Sequence, residues 1–148
     1  MAYERSKRAQ AAPDFAIDVT FPSTGAVIPQ RVVKLANTGN VKHTTASSGR
    51  AVLGVALTGA TGSGKLVTVR RFGLATVEAS TRAVAKGDWV RATSGAASTG
   101  SRLGGTVRTS TSAIVNHVGQ AMSSAAAGAA KRTIVVFVSP SVNSGLLT

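Results

Sequence analysis

Residues 51–78 read AVLGVALTGATGSGKLVTVRRFGLATVE, and their interpretation decides the fold. Within them Gly59-Ala60-Thr61-Gly62-Ser63-Gly64-Lys65-Leu66 follows the phosphate-loop pattern G-x-x-x-x-G-K-[ST] at every position but the last. The chemistry depends on that last position, because a Ser or Thr hydroxyl there ligates the Mg²⁺ that bridges the phosphates. Leu66 has no oxygen to offer. A phosphate loop must also open a helix, whose N-terminal amides and dipole hold the anion. Here the following residues, Leu66-Val67-Thr68-Val69-Arg70-Arg71, are rich in β-branched side chains and alternate, which predicts a strand. No hydrophobic strand ending in Asp follows to supply a second metal-binding element. The stretch is read as a hairpin around a Gly/Ser/Thr turn, with a third strand beginning after Gly73.

Working outward, the end of the chain echoes this unit. Gly119-Gln120-Ala121-Met122-Ser123 parallels Gly54-Val55-Ala56-Leu57-Thr58, and Lys131-Arg132-Thr133-Ile134-Val135-Val136 parallels Lys65-Leu66-Val67-Thr68-Val69. The intervening loop is SAAAGAAK in the second copy, which offers no phosphate cradle and could alternatively form one helical turn. Residues 133–138 are apolar on both faces, which suits burial between layers or between subunits.

Upstream, residues 1–29 read as an extended arm. Arg5, Lys7 and Arg8 come first, and Pro13, Pro22, Gly25 and Pro29 prevent a long regular element. Phe15, Ile17, Val19 and Phe21 alternate with Ala16, Asp18 and Thr20, the period of one short strand. That strand could join the edge of its own sheet or of a neighbour's. Residues 30–36 (QRVVKLA) predict a core strand, Asn37-Thr38-Gly39-Asn40 a turn, and residues 41–46 a further extended piece. Lys86-Gly87-Asp88 predicts a tight turn capped by Asp88. The following Trp89 is expected in the core or at a subunit interface. The Gly/Ser/Thr-rich residues 94–112 are expected to be surface hairpin loops. The organisation expected is an arm (1–29), one β domain (30–140) and a short tail (141–148).

Composition narrows the function. At 148 residues the chain fits one domain able to bury roughly 68–70% of its unfolded surface. Seventeen Lys and Arg face five acidic residues, for a net charge of +12 and a pI near 11.8. That balance favours an acidic partner, whether nucleic acid, an anionic membrane or an acidic protein surface. Aromatics are 4%, which provides poorly for stacking on bases. There is no cysteine, hence no disulfide or thiolate site. The start of the chain lacks the apolar segment of a secretory signal. The longest apolar run falls far short of the roughly 20 residues of a membrane helix, so a soluble protein without membrane contact is expected. His43 and His117 are the only histidines, and the carboxylates (Glu4, Asp14, Asp18, Glu78, Asp88) are scattered without ligand spacing. No Gly-x-Ser-x-Gly elbow or paired carboxylate suits catalysis. We expect no enzyme, no metal, no cofactor and no small-molecule substrate.

The order of short motifs resembles the small decoration, or cement, proteins of tailed-phage capsids, similar to the lambda-type head decoration protein. The motifs are GVAL at 54–57, the turn at 59–65, V-x-V at 67–69, Gly-x-Ala at 73–75, Gly-Asp at 87–88, the second hairpin from 119–122, and the strand running to Pro140 at 136–140. Together they cover about residues 30–140. The resemblance implies an all-β, compact barrel-like domain of the β-clip or β-tulip kind. It also implies a homo-oligomer, usually a trimer, on the outer capsid surface of a virion and made in the host cytoplasm, with the major capsid protein as partner. On that reading Ile134, Val136, Val138 and Trp89 are candidates for the core or oligomer interface. Phe15, Ile17, Val19, Phe21, Arg31, Lys34, Arg70 and Arg71 are candidates to meet the shell. The alternatives are a basic nucleic-acid-binding module, supported by charge alone, and a nucleotide-binding protein, supported only by the defective loop.

Overall fold

The computed structural model describes residues 15–44, 52–93, 105–110, 117–128 and 131–140. Within them it contains nine strands and no helix, the all-β class expected. In chain order these are β1 (Ile17–Pro22), β2 (Val32–Leu35), β3 (Val41–His43), β4 (Gly54–Ala56), β5 (Leu66–Ala79), β6 (Trp89–Thr93), β7 (Thr106–Thr109), β8 (His117–Ala121) and β9 (Arg132–Val138).

The fold is organised around β5. Its 14 residues run unbroken through Gly73, so the expected third strand is the continuation of the second. Val67, Val69, Ala75 and Val77 share one parity and are all buried, which keeps the strand in phase across the glycine. Gly73 is a corner rather than a break. Its φ is +107°, and a Cβ there would lie 2.9 Å from the carbonyl oxygen of Phe15. Before the corner β5 pairs with β1 and β4; after it, with β9 and, at Ala79, with β7.

The corner divides the molecule into two halves built alike. In the first, β2 pairs with β3 and β4, and β4 with β5; in the second, β6 pairs with β7 and β8, and β8 with β9. The correspondence extends to single hydrogen bonds. The Leu57 amide donates to the Thr68 carbonyl and the Met122 amide to the Val135 carbonyl, each at 2.8 Å. The Thr68 amide donates to Thr58 Oγ1 and the Val135 amide to Ser123 Oγ, each at 2.9 Å. Val27 bridges Ala60 as Val84 bridges Ala125. Even the left-handed turn residues correspond, Gln30 at φ +64° and Gly87 at +94°. The hairpin echo in the sequence is one part of this duplication. The second half closes into a barrel, because β5, β7, β6, β8 and β9 pair in a ring that returns to β5.

There are two cores, both built mainly of valine, and the second also takes in Val32, Val52 and Val55 from the first half. Val33, Val41, Val67 and Val69 centre the first. Val77, Val90, Val107, Val118, Ile134 and Val136 centre the second. β-Branched side chains are stiff and fit a pleated surface, and each contributes roughly 1.5–3 kcal/mol when fully buried.

β1 takes one of the two pairings open to it, at the edge of its own sheet: it pairs along its length with the first part of β5, and Val27 lies in the first core. One expectation is corrected: residues 106–109, expected in loops, form β7. Val107 is fully buried there, and neighbouring Gly and Ser residues mask its short pattern. The remainder of the expected loop region at 94–104 and 111–112, residues 1–14 of the arm, and the tail at 141–148 lie outside the described residues.

Candidate functional site

The loop that mimics a nucleotide site is a clasp. Ser23, just past β1, donates its hydroxyl to the Gly62 carbonyl at 2.7 Å and its amide to the Lys65 carbonyl at 2.8 Å. The Gly64 amide is spent on the Ser23 carbonyl at 2.7 Å, so it is not available to an anion. Lys65 leads into β5 instead of a helix, and Leu66, which opens the strand, is 69% exposed.

Two residues expected on the shell-facing surface lie inside. Arg31 is 4% exposed and its guanidinium grips Glu78 through Nε–Oε2 at 3.0 Å and Nη2–Oε1 at 3.3 Å. Glu78 is itself 3% exposed, and its amide donates to the Gln30 carbonyl, which ties β5 to the entry of β2. Charges are buried only when paired, and the planar fork of Arg suits this geometry. Lys34 is also buried. Beside this seam His43 is buried, and its Nε2 accepts the Ile28 amide at 2.9 Å. Burial is the main cause that holds its pKa below the ordinary value of 6.5, with the charge of Arg31 acting in the same sense.

The other expected contacts spread over distinct surfaces. Phe15, just before β1, and Ile17 and Val19 on it are exposed, whereas Phe21 is half-buried against the first core. Arg70 faces Asp18 across the β1–β5 pair, with Nε–Oδ1 at 2.8 Å and Nη2–Oδ2 at 2.9 Å, and this bond lowers the Asp18 pKa. Arg71 is exposed. Ile134, Val136 and Val138 are turned into the second core, so the outer face of β9 carries Val135 and Phe137. That face continues onto Leu74, opposite Phe137, and through Phe72, whose ring stands edge-on to Phe137 at 5.0 Å, to Phe15 at 6.1 Å. A groove of about 310 Å³ beside it is lined by Gln30, Leu57, Arg70, Leu74, Thr76 and Val135.

Trp89 is 51% exposed, not core, and its ring lies against His117 at 5.8 Å. It follows the turn capped by Asp88, which accepts the Ala85 amide at 2.9 Å and the Thr109 hydroxyl at 2.8 Å. These bonds, the Ala85 amide first, lower the Asp88 pKa. Among the described residues no three His, Asp or Glu side chains gather as metal ligands.

One grouping was missed in the sequence. Arg91 on β6 lies directly opposite Arg108 on β7, with His117 of β8 across the other side of Arg91. The sequence lists these arginines 17 positions apart, and only strand register joins them.

Against known proteins, a family model described as phage cement protein matches residues 11–138. Among solved structures, the head fiber gp8.5 N base of bacteriophage phi29 is similar, with a TM-score of 0.56 at 16% identity. The match covers 84% of this chain and 95% of that one, and at such identity it shows likeness of fold. A search of curated proteins returned no match.

Proposed function

This chain belongs to the phage cement protein family, and from that premise we propose that it binds the outside of an assembled phage capsid and stabilises it. Family membership makes it a structural protein of the virion; the family match across residues 11–138 is the observation that carries the finer reading. The physical design agrees with a passive binder. Two valine cores sharing one strand make a stiff scaffold, and the surface carries an excess of Lys and Arg that would meet acidic groups of the major capsid protein. Complementary charge sets association rate and register more than affinity. Retention would come from several protomers acting together, since linked subunits rebind at high effective concentration.

The oligomer, a trimer by resemblance, would use the apolar outer face of β5 and β9. Ile134 and Val136 are committed to the monomer core, whereas Leu74, Val135, Phe137 and the nearby Met122 remain at the surface. Exposed Phe15, the exposed β1 residues Ile17 and Val19, and Arg71 remain candidates for the shell. The reading needs no cofactor, metal or small-molecule substrate.

The test is co-sedimentation with purified capsids stripped of this protein, alongside naked duplex DNA, from 50 to 500 mM NaCl. Saturable capsid binding that survives the salt which strips DNA, with a raised capsid melting temperature, supports the reading. Tight DNA binding whose log K falls by about 0.9 per phosphate contact as log salt rises, without capsid binding, favours a nucleic-acid module instead.

A further inference from the structure

We propose that the outer face of β6, β7 and β8, with Arg82 and Arg132 at its margin, is the surface that takes up carboxylate side chains of a capsid subunit. The proposal rests on the capsid-binding reading and names where the contact is made.

Arg91, Arg108 and Arg82 act on one another there, and Arg132 of β9 reaches the edge of the group through the Arg82 backbone. Arg91 and Arg108 are cross-strand partners, a position at which Cβ atoms lie about 5 Å apart and like charges repel. The charge of Arg82 also acts on Arg108, and Arg132 donates to the Arg82 carbonyl at 3.4 Å. Nε of Arg91, Nε of Arg108, and both Nε and Nη1 of Arg132 are buried without a hydrogen-bond partner. A buried donor left unbonded costs about 1–3 kcal/mol, more when charged. The fold thus concentrates repulsion and unmet donors that nothing within the described residues relieves.

An anion with two or more oxygens would relieve both, because guanidinium forks bind carboxylates bidentately. A second copy of this chain is poorly equipped to provide it. Its acidic residues number five against 17 Lys and Arg, and the three among the described residues are engaged: Glu78 is buried on Arg31, Asp18 is held by Arg70, and Asp88 is held by the Ala85 amide and the Thr109 hydroxyl, while Glu4 and Asp14 lie outside the described residues. Trp89 stands exposed on the same face beside His117. Tryptophan with arginine is the composition that dominates protein–protein hot spots, whereas sequence-independent nucleic-acid grooves repeat their stacking rings. The occupant is therefore an acidic protein segment.

The experiment uses the full chain and stripped capsids. Arg91→Ala/Arg108→Ala should weaken capsid binding by about tenfold or more, the scale of one charge-assisted hydrogen bond. The equal-charge control Lys42→Ala/Lys65→Ala should change it less than threefold. Melting temperature of the first variant should be equal to or above wild type, because repulsion has been removed. Arg91→Lys and Arg108→Lys then allow zero-length carbodiimide coupling, which condenses the new amine with a carboxylate lying against it. A mass-spectrometric adduct between either lysine and an Asp or Glu of the capsid protein supports the proposal. Equal losses in both double variants, or adducts to another copy of this chain, overturn it. Unchanged capsid binding by the arginine variant overturns the surface while leaving the capsid reading intact. Failure of the wild-type protein to bind capsids removes both, and loss of DNA binding alone in the arginine variant assigns the face to phosphate.

Discussion

Replacing Glu78 by Gln keeps the shape of the buried pair and removes one charge. Arg31, 4% exposed, then holds its positive charge in the seam between the two halves without the carboxylate that offsets it. Breaking a buried pair in this way costs about 3–5 kcal/mol, since the orphaned ion retains its desolvation penalty. Unfolding entropy near 2.1 cal/mol/K per residue over 148 residues gives about 0.3 kcal/mol/K, so the melting temperature should fall by about 10–16 °C. Calorimetry on Glu78→Gln, Arg31→Met and Arg31→Met/Glu78→Leu closes a double-mutant cycle. The double variant should regain most of the loss, because an apolar pair of similar volume avoids desolvation altogether. Asp18→Asn provides the contrast: its pair with Arg70 is partly exposed, and such pairs contribute at most about 1 kcal/mol, or about 3 °C here. A Glu78→Gln loss no larger than that of Asp18→Asn, or a double variant as unstable as the two singles summed, would refute the reasoning.

Gly119→Ala would put a Cβ 1.8 Å from the Phe137 carbonyl oxygen, so we expect insoluble or strongly destabilised protein, whereas Gly62→Ala, with open space around it, should melt within about 2 °C of wild type. His43 has a folded pKa below 6.5, so the unfolded chain binds more protons in the window beneath that value; its stability contribution is complete above about 6.5 and falls as pH drops through it. Melting temperature should decline from pH 7.5 to 5 more steeply in wild type than in His43→Gln, and parallel curves would exclude the histidine as the cause. Asp18 and Asp88, whose pKa values are lowered from 3.8, contribute stability that is lost only at pH values below that of the histidine window. Titration calorimetry with Mg²⁺-ATP should give no heat of binding; micromolar binding abolished by Lys65→Ala would overturn the hairpin assignment.

Much of this architecture is written in local pattern. The failure of the phosphate loop at Leu66 and the alternation of Val67 and Val69 reveal the hairpin, and the echo at Gly119 reveals its second copy. What pattern cannot show is where strands meet. Gly73 has the same local signature whether it ends a strand or bends one, and only pairing on both sides distinguishes these outcomes. Val107 stands between Thr106 and Arg108 in a Gly/Ser/Thr-rich stretch, too short a signal for a strand that is stabilised chiefly by its neighbours. Arg31 looks like a surface charge until Glu78, 47 positions away, is brought against it. The same gap conceals Arg91 and Arg108. The apolar character of residues 133–138 is legible, yet only the barrel determines that Ile134 and Val136 turn inward while Val135 and Phe137 turn out.

The strand common to both halves also acts as a ruler. Its 14 residues, at about 3.3 Å each, span up to about 46 Å of continuous backbone with hydrogen-bonded neighbours on either side of the corner. The halves are joined by this strand rather than by a linker, and Val32, Val52 and Val55 of the first half pack into the second core. The spacing of surfaces on the two halves is set by the pairing and packing of this one strand. If both halves meet the shell, as the proposed function has it, shell subunits that drifted from that spacing would have to give up one set of contacts or be drawn back to it.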